Sequence, residues 1–165
     1  MLFAVNAGVT SNTEDTERTF GYIKPRLEFF NALTRDQKLV LKTMARGHFN
    51  IGDDFEFYQA AVLGANSGLR GYRHQRFSGE SAVVFGGDLR YSFRKFKTGL
   101  LPVQLGIFGG YDIGRVWLDG EDSDIWHDDF GGGIILNAVD SISGELGIFN
   151  SDDGLRFSFG FGVSL

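Results

Sequence analysis

The chain has 165 residues, a length that suits one domain, and 42% of them are hydrophobic, which argues against a disordered segment. Its formal charge of −5 and pI of about 5.1 count against a nucleic-acid binder, which needs a basic face. The absence of cysteine excludes disulfides, thiolate metal sites and thiol nucleophiles, and 24 Gly and 17 Phe with only 2 Pro suggest closely packed strands bearing an aromatic surface.

Met1 leads at once into LFAVNAGVT, which reads as strand interior, so no signal peptide is visible. Eight alternating segments follow. The first, Leu2–Thr10, sets Phe3, Val5, Ala7 and Val9 against Ala4, Asn6 and Gly8. The second, Thr19–Ala32, sets Ile23, Pro25, Leu27 and Phe29 against Tyr22, Lys24, Arg26 and Glu28. The third, Lys38–Asn50, sets Leu39, Leu41, Thr43, Ala45 and Phe49 against Lys42, Met44, Arg46 and His48. A long irregular stretch, Gly52–Gly79, precedes the fourth segment, Ser81–Phe93, where Val83, Phe85, Leu89, Tyr91 and Phe93 oppose Ala82, Gly86, Asp88, Arg90 and Ser92. In the fifth, Val103–Trp117, Val103, Leu105, Ile107, Tyr111 and Ile113 oppose Gln104, Gly106, Gly110, Asp112 and Gly114. The sixth, near Phe130–Ala138, is poorly defined by alternation, and the seventh is Ile142–Phe149. In the eighth, Leu155–Leu165, Leu155, Phe157, Phe159, Phe161, Val163 and Leu165 oppose Arg156, Ser158, Gly160, Gly162 and Ser164.

Alternation with a period of two is the strand signature. Several segments reach about ten residues, the length that crosses a bilayer at a tilt. No run of eighteen apolar residues is present, so a transmembrane helix is excluded. The connections also alternate. SNTEDTER, the 52–79 stretch, LDGEDSDIWHDD and NSDDG are acidic or long, whereas NALTRDQ, RKFKTGL and NAVDS are short. Short turns at one end and longer loops at the other is the layout of an outer-membrane barrel. The apolar faces show little size alternation, while the opposite faces mix charge with Gly86, Gly106, Gly110, Gly114, Gly160 and Gly162. Glycine is poor on a solvated sheet face and useful where something must approach the backbone. The expected fold is therefore all-β: an antiparallel transmembrane β-barrel with its apolar side toward lipid.

GLRGYR in a long loop, a strand carrying GGDLRYSF, then GIFGGYDIGRVW, then a Phe-rich terminal strand together resemble the bacterial surface antigen superfamily of outer-membrane barrels over about Asn66–Leu165. That superfamily includes BamA-type and TamA-type insertases, two-partner secretion transporters and the barrels of some patatin-like phospholipases. The resemblance implies that the loop motif Arg70, Gly71, Tyr72 folds back into the barrel. It implies that Arg70 meets Asp112 in YDIGRVW, which also contains Gly114, with Asp88 of DLRY nearby. The last strand is similar to the family's C-terminal signal, with Ser158, Gly160, Val163 and Leu165 in place, although the usual terminal aromatic is replaced by Leu165.

The family barrels have about sixteen strands, an even number as is usual for the class. Eight strands correspond to a C-terminal half, to be completed by a second half barrel or another chain. The alternative is a small closed barrel, whose interior is just filled by side chains. Residues 1–165 are read as a single outer-membrane barrel domain with 51–80 as an inserted loop. The implied setting is the bacterial outer membrane. The implied function is insertion or translocation of proteins there, with lipid and client outer-membrane or secreted proteins as partners. The other readings are the anchor of an enzyme whose catalytic domain lies elsewhere, and a stand-alone structural barrel.

Other features are read more plainly. The acidic residues Asp119, Glu121, Asp122, Asp124, Asp128 and Asp129 lack calcium-loop spacing and are taken as one solvated loop. His48, His74 and His127 have no metal-ligand spacing. Trp117 and Trp126 suit an interfacial aromatic belt. No nucleophile elbow or phosphate-binding loop is present, so neither catalysis nor a cofactor is expected.

Overall fold

The computed structural model describes residues 2–11, 19–52, 59–97, 102–118, 124–138 and 142–163. These residues are all-β, with no α-helix among them. The strands are β1 (Leu2–Ser11), β2 (Thr19–Ala32), β3 (Leu39–Ile51), β4 (Ala61–Leu63), β5 (Phe77–Gly79), β6 (Ser81–Ser92), β7 (Phe96–Lys97), β8 (Pro102–Trp117), β9 (His127–Ala138), β10 (Ile142–Ser151) and β11 (Gly154–Val163). The main sheet runs β1-β2-β3-β6-β8-β9-β10-β11, with every neighbouring pair antiparallel.

Seven of the eight expected segments match the long strands within a few residues. The poorly defined sixth begins earlier, at His127, so Asp128 and Asp129 belong to β9 and not to a solvated loop. The stretch between β3 and β6 is not wholly irregular, because β4 and β5 pair in a two-stranded hairpin. The short connection after β6 also contains β7, which pairs with the start of β8. The tight β2–β3 turn is closed by Leu33 N–H donating to Leu39 O at 2.8 Å and by Gln37 N–H donating to Thr34 O at 3.0 Å. Ser164 and Leu165, at the end of the expected C-terminal signal, lie outside the described residues, as do Asp119, Glu121 and Asp122.

The two faces of the sheet differ as alternation predicts. Phe157, Phe159 and Phe161 of β11 are 81%, 74% and 65% exposed, and Leu105, Ile107, Tyr111, Phe130 and Ile134 continue this apolar face across β8 and β9. The opposite face is covered by the β3–β6 connection. Ala61, Leu63, Leu69 and Tyr72 from that connection bury themselves against Ala82 and Val84 of β6 and Val116 of β8. This is the larger apolar core among the described residues, and it lies on the face that also carries the charges. Phe108, Ile135 and Phe149 form a second buried cluster on it.

The sheet curls around the loop. Lys42 and Met44 of β3, Asp88 of β6, Arg70 and, from β11, Ser158 and Gly160 line one cavity of about 210 Å³. β1 and β11 are the two ends of the sheet and do not pair with each other. What is observed is a curled, open antiparallel sheet holding a folded loop in its trough, with closure into a barrel not seen.

The loop is packed like a core element, so trimming it should cost accordingly. Leu69→Ala should destabilise the fold by about 2–5 kcal/mol, the range for emptying a buried leucine site. Phe157→Ala, on the exposed face, should change it by no more than about 0.5 kcal/mol in micelles. Urea unfolding in detergent checks both, and equal effects would contradict the packing.

Candidate functional site

Arg70 stands near the end of the turn that follows β4. Leu69 N–H donates to Gly64 O at 3.1 Å and Tyr72 N–H donates to Leu69 O at 3.2 Å, so the chain around Arg70 is compact before it reaches the sheet. Leu69 and Tyr72, both fully buried, anchor the two sides of Arg70. Its side chain is thereby aimed at the wall formed by β6 and β8.

The contacts there are short and several. Arg70 Nε donates to Asp112 Oδ2 at 2.6 Å, and Nη2 donates to Asp112 Oδ1 at 3.0 Å and to Asp88 Oδ1 at 2.7 Å. Asp112 is fully buried and Asp88 is 4% exposed. A planar guanidinium can give two parallel N–H groups to one carboxylate, which an ammonium cannot. The register explains why one cation serves both acids. Asp88 lies opposite Gly110 and Asp112 lies opposite Gly86, so the two carboxylates are diagonal neighbours on one face. Gly110 leaves the space that the Asp88–Arg70 contact occupies, since a Cβ there would strike both side chains. Gly114, four residues farther along β8, likewise leaves the space where Leu63 packs down onto the strand.

The pair belongs to a longer chain of charges. Arg90 Nη2 donates to Asp88 Oδ2 at 3.3 Å and pairs with Glu145 of β10 at 2.7 Å. On the neighbouring strands Glu28, 5% exposed, accepts from Arg26 Nη2 at 2.7 Å and from Arg46 Nη2 at 3.3 Å. Burial pulls the Arg70 guanidinium down, but the Asp112 carboxylate and then Asp88 more than reverse this and hold it above its ordinary value. Arg70 is therefore a permanent cation.

Two aromatic rings complete the seat. The Arg70 guanidinium carbon lies 4.2 Å from the centre of the Phe149 ring and 6.0 Å from that of Phe108, a cation–π arrangement that strengthens when water is excluded. The rest of the motif is held as firmly. Gly71 O accepts from Ser151 Oγ at 2.8 Å, and Tyr72 Oη donates to Asp128 O at 3.1 Å. Gly71 packs so closely on Asp129 and Ser151 that a side chain there would collide with both. Farther out, Arg76 Nε donates to Asp153 Oδ2 in the β10–β11 turn at 2.7 Å.

Arg70, Gly71, Tyr72, Asp88, Asp112 and Gly114 thus converge on one wall. Ser158 and Gly160 lie on the same side of the sheet, across the cavity, while Val163 is the last residue of β11. Phe108, Phe149 and Asp129 were missed in the sequence. The first two break the polar-and-glycine rule of their face, and their parity with Asp112 and Glu145 was the available signal. Trp126 is exposed, with its ring centre 6.5 Å from that of Phe85. Among the described residues no cluster of His, Asp and Glu is arranged to hold a metal ion. The site consists of ion pairs and packing, an arrangement suited to holding a loop.

No family model matches the chain, and no curated protein matches it in sequence.

Substitutions should rank by how much of the seat they leave unpaired. Arg70→Ala strands two buried carboxylates and should cost about 3–5 kcal/mol, as for breaking a buried pair. Arg70→Lys should recover only part of this, because a point charge cannot replace the two-pronged contact. Gly110→Ala should mimic Arg70→Ala in loosening the loop while leaving every charge in place. Protease cleavage between residues 64 and 78 measures all three, and an Arg70→Ala loop as resistant as the parent would contradict the ranking.

Proposed function

We propose that this chain is a membrane-embedded segment of a bacterial outer-membrane β-barrel, related to the surface antigen superfamily, and that it serves insertion or translocation of proteins at that membrane. One observation carries the reading. A loop motif Arg70-Gly71-Tyr72 is clamped by Asp112 and Asp88 on the inner face of a curled sheet whose outer face is exposed Phe, Leu and Ile. A soluble sandwich would bury the apolar face. Here that face is left open, and the ion pairs lie inside.

Two physical arguments support a barrel larger than eight strands. A sheet edge placed in hydrocarbon leaves backbone N–H and C=O groups without partners, each costing several kcal/mol, so spanning sheets are closed. A closed eight-stranded barrel has room inside only for side chains, whereas this trough holds a loop with its own hairpin. On this reading β1 and β11 pair with further strands, from a second half barrel or another chain. The Arg70 loop braces the wall, and lipid and a client protein are the partners.

Single cysteines placed at 157, 159 and 161 in a membrane-inserted protein should react with a lipid-soluble maleimide, and those at 158 and 160 should react far less. Labelling confined to 158 and 160 would sink the membrane reading. Insertion is tested separately. Vesicles carrying the protein should fold a denatured outer-membrane barrel client faster than empty vesicles, and equal rates would remove that role while leaving the barrel intact.

A further inference from the structure

Asp129 is a second fully buried carboxyl in the wall under the loop, and Arg70 does not bond to it. It stands directly across from Asp112 in the β8–β9 register. It is 0% exposed, and no side chain among the described residues donates a hydrogen bond to either of its oxygens, the Gly71 backbone N–H being the donor that faces it. The groups that face it offer little help. From the loop come Gly71, packed on its Cβ and Cγ with its backbone N–H toward the carboxyl, and Arg70, whose Nε and Nη2 are engaged with Asp112 and Asp88. From β10 comes Ser151, whose hydroxyl is given to Gly71 O. From β8 comes Asp112 itself, its direct cross-strand partner on the same buried face. Farther off, Arg90 on β6 is matched by Asp88 and Glu145. Asp153 in the β10–β11 turn is matched by Arg76, while Asp152, Asp128 and His127 lie on the rim around Tyr72.

The nearby cations are thus already paired, and a further buried anion would be unmatched. A buried carboxylate with no cation of its own and at most one backbone donor costs several kcal/mol to keep ionised, and a second carboxylate beside it adds repulsion. We infer that Asp129 and Asp112 share one proton, forming a proton-binding site that exists only while the Arg70–Tyr72 loop is docked. The Asp129 O–H donates to an Asp112 oxygen that still has a lone pair free beside Arg70. When the loop lifts, water reaches both acids and the proton leaves to solvent.

The sign follows from linkage. Docking takes up one proton, so it is strongest just above the range of an exposed carboxyl; in stronger acid Asp112 and Asp88 are protonated as well and Arg70 loses its partners. It weakens as pH rises above the range of an exposed carboxyl, by up to about tenfold for each pH unit, until the docked acid itself ionises. The loop is then a latch that loosens as pH rises from the carboxyl range toward neutrality. This holds whether or not the sheet sits in a membrane.

The chain has no cysteine, so a single Gln75→Cys substitution carries a spin label on the exposed loop. In detergent micelles between pH 5 and pH 9, the mobile component of the parent should grow at least about tenfold. Asp129→Asn should keep the label immobile throughout, and Asp129→Ser carries the same comparison if the asparagine variant does not fold. His127→Gln should keep the parent curve. Infrared difference spectra should show a protonated carboxyl band at pH 6 that is missing in the Asp129 variant. A parent whose mobility ignores pH, an Asp129 variant that follows the parent curve, a His127→Gln variant that abolishes it, or a missing carboxyl band would each overturn the shared proton.

Discussion

The bidentate contact between Arg70 and Asp112 is the constraint on which the rest of the site depends. Asp112 is fully buried in β8, and a carboxylate in that position is tolerated only with a cation delivered to it. The cation comes from a residue 42 positions earlier in the chain. The chain must therefore leave β3, fold a hairpin and return before β6 can begin. Gly110 and the rings of Phe108 and Phe149 seat that one guanidinium, while Gly114 and the apolar patch on β6 seat the loop that carries it.

This arrangement inverts the usual division of a sheet protein. The main core lies between the loop and the charged face, where Leu69, Tyr72, Val84 and Val116 pack. The face richest in Phe stays open. In water such a face would be an aggregation hazard, together with two unpaired edges. In lipid the face is at home, and the edges are what still need partners. That asymmetry is why the proposed reading is a part of a larger membrane barrel.

Much of this was legible because a strand's period of two is visible in the sequence. Asp88, Asp112, Gly110 and Gly114 fall on one face by counting alone, and the structure places them there. The Arg70 pairing came from a motif resemblance, since no periodicity links a loop residue to a strand 42 residues away. Three things were hidden. Gly131, Gly132 and Gly133 interrupt the alternation of β9, so its start was misplaced and Asp129 was left in an acidic loop. Phe108 and Phe149 were assigned to neither face, though their parity sets them against the guanidinium. The β4–β5 hairpin has three residues in each strand, too few to show a period, and it forms because its side chains bury against β6 and β8.

A double-mutant cycle on Arg70 and Asp112 tests the central claim most directly. Arg70→Ala, Asp112→Ala and the double variant would be unfolded in detergent beside the parent. The account predicts a coupling energy of at least about 1.5 kcal/mol, with the double variant less damaged than the sum of the singles, as for close pairs with shared burial. Additivity within about 0.5 kcal/mol would mean the two side chains act independently, and the account of the site would be wrong.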